Sequence, residues 1–254
     1  MDTAIKSLGQ AGYRFQFGET VVYIDPYLTN YVQEMDGEEM HRLVPIPFSP
    51  DEVVDADWVL ISHGHIDHCD PTTLLPLSRA SRTCRFVCPG EVGQILTRLG
   101  ISEQRIFIAR EEWLTLDGEL HVRPIPAAHP DIERDSTGLL RYVGFVIEYQ
   151  QCRMYHSGDT SLEQTILSIL QELLPIEIAF LPVNEKNFYR AQRGIIGNMS
   201  VREAFQMATD IGVKTLVPMH WDMFSPNSVF PEEIDLLYRL IRPPFKLVMR
   251  PEGL

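Results

Sequence analysis

The stretch ISHGHIDHCD at positions 61–70 sets His63, His65, Asp67 and His68 within six positions. Neutral imidazole and carboxylate are the groups a protein offers to first-row divalent metals. In an extended segment, residues two apart point the same way, so His63 and His65 are expected to serve one ion together. Asp67 and His68 point away from that pair and are expected to serve a second. Two metals about 3.5–4 Å apart form the usual clamp for hydrolysis. The cluster does not complete two coordination spheres, so further ligands are expected where other strands end. VRPIPAAH runs into His129, CRMYHSGD into Asp159 and TLVPMH into His220. Together with WVLIS before the cluster, four apolar strands each deliver a ligand just past one end, as a rigid scaffold for a metal site should. His41, His121 and His156 are read as structural, with His156 near enough to Asp159 to support it from behind.

The elements that must position these residues alternate through the chain. AIKSL, YRFQF and VVYID, separated by glycine-bearing turns, predict antiparallel strands. Residues 26–50 read as an irregular, proline-bearing loop of the kind that covers a binding site. Asp70 caps a helix with Pro71 in its first turn, running to about Arg79. RFVCP predicts a strand, and EVGQILTRLG a helix that Gly100 ends. RIFIA, EWLTL and LHVRPIPA follow as strands, then YVGFVIEY and CRMYH as a hairpin. An apolar-periodic helix is expected over 161–174, a strand at IEIAFLPV, and a helix at SVREAFQMATDIG with Ser200 and Glu203 in capping-box spacing. TLVPM is the last clear core strand and PEEIDLLYRLI the terminal helix. No repeat or low-complexity linker divides the chain, so residues 1–254 are expected to form a single α/β domain, two sheets face to face with helices outside.

The bulk properties limit the partners. The chain has 254 residues, 22 basic against 35 acidic, and a net charge of −13. That balance weighs against broad binding to nucleic acid or an anionic membrane. No apolar run is long enough to span a bilayer, and the first residues lack a secretory pattern, so a cytoplasmic protein is expected. Cys69, Cys84, Cys88 and Cys152 match neither a zinc pattern nor a disulfide framework and are read as reduced thiols.

With the ligands and elements in hand, the chain resembles the metallo-β-lactamase superfamily, from LGQAGYRF…VVYIDPYL to PMHWDMF. The resemblance implies a four-layer αββα sandwich with the site at one edge of the two sheets. It implies one metal on His63, His65 and His129, a second on Asp67, His68 and His220, and Asp159 bridging. A narrower resemblance, carried by YHSGDT and NFYRAQRGIIGNMSVREA, is to the L-ascorbate-6-phosphate lactonase family. It implies a lactonase of phosphorylated sugar acids, manganese or zinc as the cofactor, one or two ions per chain, and a homo-oligomer.

The chemistry expected is hydrolysis by hydroxide formed on the metal, with Asp67 orienting the nucleophile and passing its proton to the leaving oxygen. Two divalent ions, two aspartates and one hydroxide leave about one positive charge at the centre, enough to draw in a small anionic substrate. A phosphate needs a cationic grip, for which Lys186, Asn187, Arg190, Arg193 and Asn198 are the candidates. The nearest rival is a phosphodiesterase on a small or cyclic nucleotide, since the same hydroxide attacks phosphorus. Rivals of another class are a redox di-iron protein on the same fold and a non-catalytic metal-binding protein.

Overall fold

The computed structural model describes residues 3–252. The first sheet takes β1 (Thr3–Gly9), β2 (Gly12–Phe17), β3 (Thr20–Ile24), β4 (Trp58–Leu60), β5 (Arg85–Cys88) and β6 (Ile106–Ile108) in chain order. β1, β2 and β3 pair antiparallel, as their glycine-bearing turns require, and β3 through β6 pair parallel. The second sheet takes β7 (Leu114–Asp117), β8 (Leu120–Pro126), β9 (Val143–Tyr149), β10 (Cys152–His156), β11 (Ile178–Pro182), β12 (Thr215–Met219) and β13 (Lys246–Leu247). β7 to β10 are antiparallel and β10 to β13 parallel.

Alternation along the strands builds the layers. Phe15, Val22, Ile24 and Leu60 of the first sheet meet Phe145, Ile147, Phe180 and Val217 of the second in one core between the sheets. The intervening residues Val21, Tyr23, Val59 and Phe86 face the other way, against α2 (Pro71–Ala80) and α3 (Gly90–Arg98). On the far side Val146, Tyr155, Leu181 and Leu216 pack on α4 (Gln164–Glu172), α6 (Val201–Asp210) and α7 (Pro231–Ile241). The result is the four-layer αββα arrangement. Strands buried on both faces carry continuous apolar runs such as TVVYI, which is why periodicity alone reads them only as core.

The helix ends follow their sequence signals. Asp70 accepts the Thr72 N–H with Pro71 in the first turn, and Ser200 and Glu203 close a capping box on α6. α4 begins later than its apolar period predicts, because the Glu163 carboxylate accepts from Thr165 and Ile166 and fixes the start there. The largest departure is 26–50. It folds α1 (Tyr31–Asp36) and two 3₁₀ turns, Glu38–Met40 and Pro50–Glu52. The segment is pinned: Arg42 donates to the Tyr27 and Val44 carbonyls, and the Leu43 N–H donates to Met223 O. α5 (Phe188–Ala191) and the two-residue β13 are too short to carry a periodic signal. Among the described residues no helix is long and apolar enough to cross a membrane.

Candidate metal centre

The ends of the strands converge on one edge of the sandwich. β4 leads into His63–His68, β8 into His129, β10 into Asp159 and β12 into His220. Donor atoms of His63, His65 and His129 lie within 4.8 Å of one another, as do those of Asp67, His68 and His220, and those of His63, His68 and Asp159. Asp159 sits at the junction, 3.4 Å from His68 Nε2, 3.6 Å from His129 Nε2 and 3.3 Å from His220 Nε2. The fold thus brings together all seven residues singled out by spacing and strand ends, and two of these groups are the trios that the resemblance implies.

The cluster is shaped for a cation. His68 Nε2 and Asp159 Oδ1 are buried and have no hydrogen-bond partner, although an unpaired buried polar atom is costly. Burial opposes ionisation of Asp67, yet His68 and His220 hold its carboxyl far below the usual range. Asp159 is likewise held well below its ordinary value, with burial overcome chiefly by His220 and His68. The same carboxylates, against burial, push His68 up to about 9 and His220 up to about 10. His129, away from the second carboxylate, is driven by burial down to about 4. Two anions, Asp159 buried and Asp67 half-buried, therefore demand positive charge at the centre, and imidazole with carboxylate is the donor set that divalent metals take. The residues fit such an ion.

Three residues that sequence reasoning missed hold the candidate ligands. Asp25, buried at the end of β3, accepts from Ser62 N–H at 2.7 Å, Ser62 Oγ at 2.6 Å and His68 Nδ1 at 2.8 Å. Ser62 Oγ in turn lies 2.9 Å from His63 Nδ1. One carboxylate thus orients two histidines through their Nδ1 atoms and leaves each Nε2 facing inward. The signal was present: an acid closing a wholly apolar strand, and a serine just before the first histidine. Gln10 gave no such signal. From the turn between β1 and β2 its Nε2 donates to Asp67 Oδ2 at 2.7 Å and lies 3.0 Å from His220 Nε2, while its carbonyl accepts the His220 N–H. Gln10, Asp25 and His220 all have positive φ without being glycine, a strain tolerated where the surroundings fix the backbone.

His156 is structural in full. Its Nε2–H donates to Ala11 O at 2.8 Å and its Nδ1 accepts the Gly158 N–H at 3.2 Å. This fixes the turn that presents Asp159. Gly158 has φ +59°, and a Cβ there would come within 2.7 Å of the Ser62 Cβ and 2.8 Å of Val143 O. Gly158→Ala is expected to lower stability by at least about 2 kcal/mol and to weaken metal binding, because both Ser62 and Asp159 must shift. Thermal melts with and without added metal check this; an unchanged variant would show that the turn is not tightly held. All four cysteines are buried and free, and burial pushes the Cys69 thiol up to about 12, so it is an inert neighbour of the cluster.

A cavity of about 330 Å³ opens over the cluster, reaching His65, Asp67, His129, Asp159 and His220. Val32, Asp36 and Met40 of the 26–50 segment line it, together with Asn184, Gly194–Gly197, Phe224 and Asn227. The expected phosphate grip is not assembled there. Arg190 is 5% exposed and turned inward, donating to Glu185 O and Ser228 O. Arg193 lies over the Tyr189 ring and Lys186 is exposed. Asn187 caps α5, accepting the Arg190 N–H, and Asn198 is buried behind Asn184. None of the five lines the cavity; the stretch Gly194–Gly197, within the same loop, does.

A beta-lactamase superfamily domain matches residues 20–221, and the chain belongs to that superfamily. A UPF0173 metal-dependent hydrolase from Methanocorpusculum labreanum is 30% identical over 191 residues, 73% of this chain and 77% of that protein. One from Hyperthermus butylicus is 28% identical over 240 residues, 91% of this chain and 88% of its own. Igni18, a metallo hydrolase from Ignicoccus hospitalis, shares the fold with a TM-score of 0.73 at 21% identity, over 99% of this chain and 96% of that one. The chain is accordingly an enzyme of the metal-dependent hydrolase class.

Proposed function

We propose that residues 1–254 act as one hydrolase domain on the carbonyl of a small lactone, using one or two divalent ions, manganese or zinc. His63, His65 and His129 would hold one ion, and Asp67, His68 and His220 the other, with Asp159 between them. The observation that carries this is the unpartnered pair His68 Nε2 and Asp159 Oδ1 at the centre of the seven donors. A divalent ion bound there supplies hydroxide at neutral pH, by lowering the pKa of water from 15.7 towards about 7, and polarises the carbonyl.

The chain's own residues do the rest. Asp67 orients the attacking water, takes its proton and returns it to the leaving oxygen. Gln10 holds the Asp67 carboxylate in place for both transfers. The pinned 26–50 segment excludes water from one side of the cavity.

A lactone is favoured over a diester because no lysine or arginine is among the described residues lining the cavity. A phosphodiester would bring its charge to the reacting atom itself. In a phosphorylated sugar-acid lactone such as L-ascorbate 6-phosphate, which the NFYRAQRGIIGNMSVREA stretch supports, the ring enters and the phosphate stays towards solvent. The test is hydrolysis of L-ascorbate 6-phosphate by manganese-loaded and by zinc-loaded protein, with His65→Ala as the comparison. Turnover is expected to fall at least about a hundredfold in the variant. Turnover of phosphodiesters with none of lactones would overturn the reading.

A further inference from the structure

Three asparagines form a directed relay that ends on the cavity wall. Asn198 Nδ2 donates to Asn184 Oδ1 at 3.0 Å, and Asn184 Nδ2 donates to Asn227 Oδ1 at 3.0 Å. The last side chain, Asn227, is 8% exposed and lines the cavity together with Asn184. Its Oδ1 is taken by Asn184, while its Nδ2 makes no hydrogen bond within the protein and keeps some accessible surface.

Backbone bonds hold the three residues in place, and Asn198 Oδ1, at the start of the relay, is buried with no hydrogen-bond partner. Asn198 N–H donates to Asn184 O, the Lys186 N–H donates to Asn198 O, and the Asn227 N–H donates to Phe224 O. Gly197, with φ +68°, permits this approach, since a Cβ there would lie 2.8 Å from Glu185 O. A buried amide that spends its oxygen on a neighbour and leaves its N–H groups facing a cavity is a donor awaiting an acceptor. The 26–50 segment contributes Asp36 to the same lining, a carboxylate that accepts only.

We infer that Asn227 is a substrate-binding residue that donates to a hydroxyl oxygen of the substrate, and that the enzyme selects polyhydroxylated lactones by their hydroxyls rather than by a phosphate. A hydroxyl is the group that can accept from an amide and donate to a carboxylate, and no lysine or arginine is among the described residues lining the cavity. Asn184 and Asn198 are positioning residues that fix which way the Asn227 amide points. The inference rests on the lactone reading for its substrate class, whereas the role of Asn227 has its own test.

The experiment compares metal-loaded wild type and Asn227→Asp on D-glucono-1,5-lactone, its 6-phosphate and δ-valerolactone, the same ring without hydroxyls. The carboxylate introduced by this substitution would still accept from Asn184, so the relay and fold are kept while the donor is removed. Wild type is expected to favour gluconolactone over δ-valerolactone by about tenfold or more in kcat/KM, chiefly through KM, and to treat the 6-phosphate within about threefold of the neutral sugar. In the variant the preference for hydroxyls should shrink several-fold at unchanged metal content. A preference retained in the variant, or a phosphate preference above tenfold in wild type, overturns the inference. Should wild type turn over no lactone, the lactone reading fails by itself. Calorimetric binding of D-gluconate and hexanoate to both proteins then decides the role of Asn227, because an advantage of gluconate that is equal in the two proteins removes it.

Discussion

Asp159→Ala is expected to lose at least about a thousandfold in turnover, on the order of 4 kcal/mol of transition-state stabilisation, and most of the thermal stabilisation that metal gives. Asp159 lies within 3.6 Å of the inward nitrogens of His68, His129 and His220, and is the carboxylate common to the two sides of the cluster. Removing it takes a negative charge from between the two donor sets, so a divalent ion bound at either would be held less tightly. A ligand that binds only the folded state raises stability by about 2.7 kcal/mol at a hundred times its dissociation constant. Wild type titrated with manganese or zinc should therefore melt several degrees higher, and the variant should hardly move. Melting curves with and without metal, and metal content after desalting, check this independently of substrate. A variant that retains full metal content and the full shift would show that Asp159 is not a ligand, and the seven-residue assignment would lose its centre.

The contrast between Asp159 and Arg190 shows what the sequence made legible. Asp159, His129 and His220 were readable because each follows an apolar strand, and parallel strand ends of one sandwich must reach a common edge. His63 to His68 were readable from local spacing alone. The layers were legible too, because capping residues, glycines and apolar runs act within a few residues of themselves. Arg190 carries the same charge whichever way it points. Its direction is set by Asn187 capping a four-residue helix and by the carbonyl of Ser228, 38 positions away. Gln10 is the stronger case, since its partner His220 is 210 positions distant and a lone glutamine in a glycine turn has no periodicity to betray it. The folded cover over 26–50 was missed because its helix and 3₁₀ turns are each too short for an apolar period. It is held by Arg42 and by backbone bonds to the Met223 region instead.

Asp25 carries the second large expectation, and its two substitutions separate support from orientation. Asp25→Ala strips partners from the Ser62 N–H, the Ser62 hydroxyl and His68 Nδ1, all buried. A stability loss of roughly 3 kcal/mol or more is expected from leaving such groups unpaired. Asp25→Asn preserves shape and can still accept from Ser62 N–H, so its stability should fall by only about 1 kcal/mol. Its effect on metal should nonetheless be large. The amide NH₂ facing His68 makes Nδ1 accept rather than donate, which moves the imidazole proton to Nε2, the atom that faces the other donors and has no partner of its own. An Nε2 carrying a proton has no lone pair to offer, so affinity should drop about 10–100-fold, as when other outer partners of ligand histidines are removed. Competition titrations with a chelator measure that drop, and chemical denaturation of the metal-free proteins measures the stability. If Asp25→Asn binds metal as wild type does, then the carboxylate serves packing alone, and the inward lone pairs of His68 and His63 are set by something other than Asp25 and Ser62.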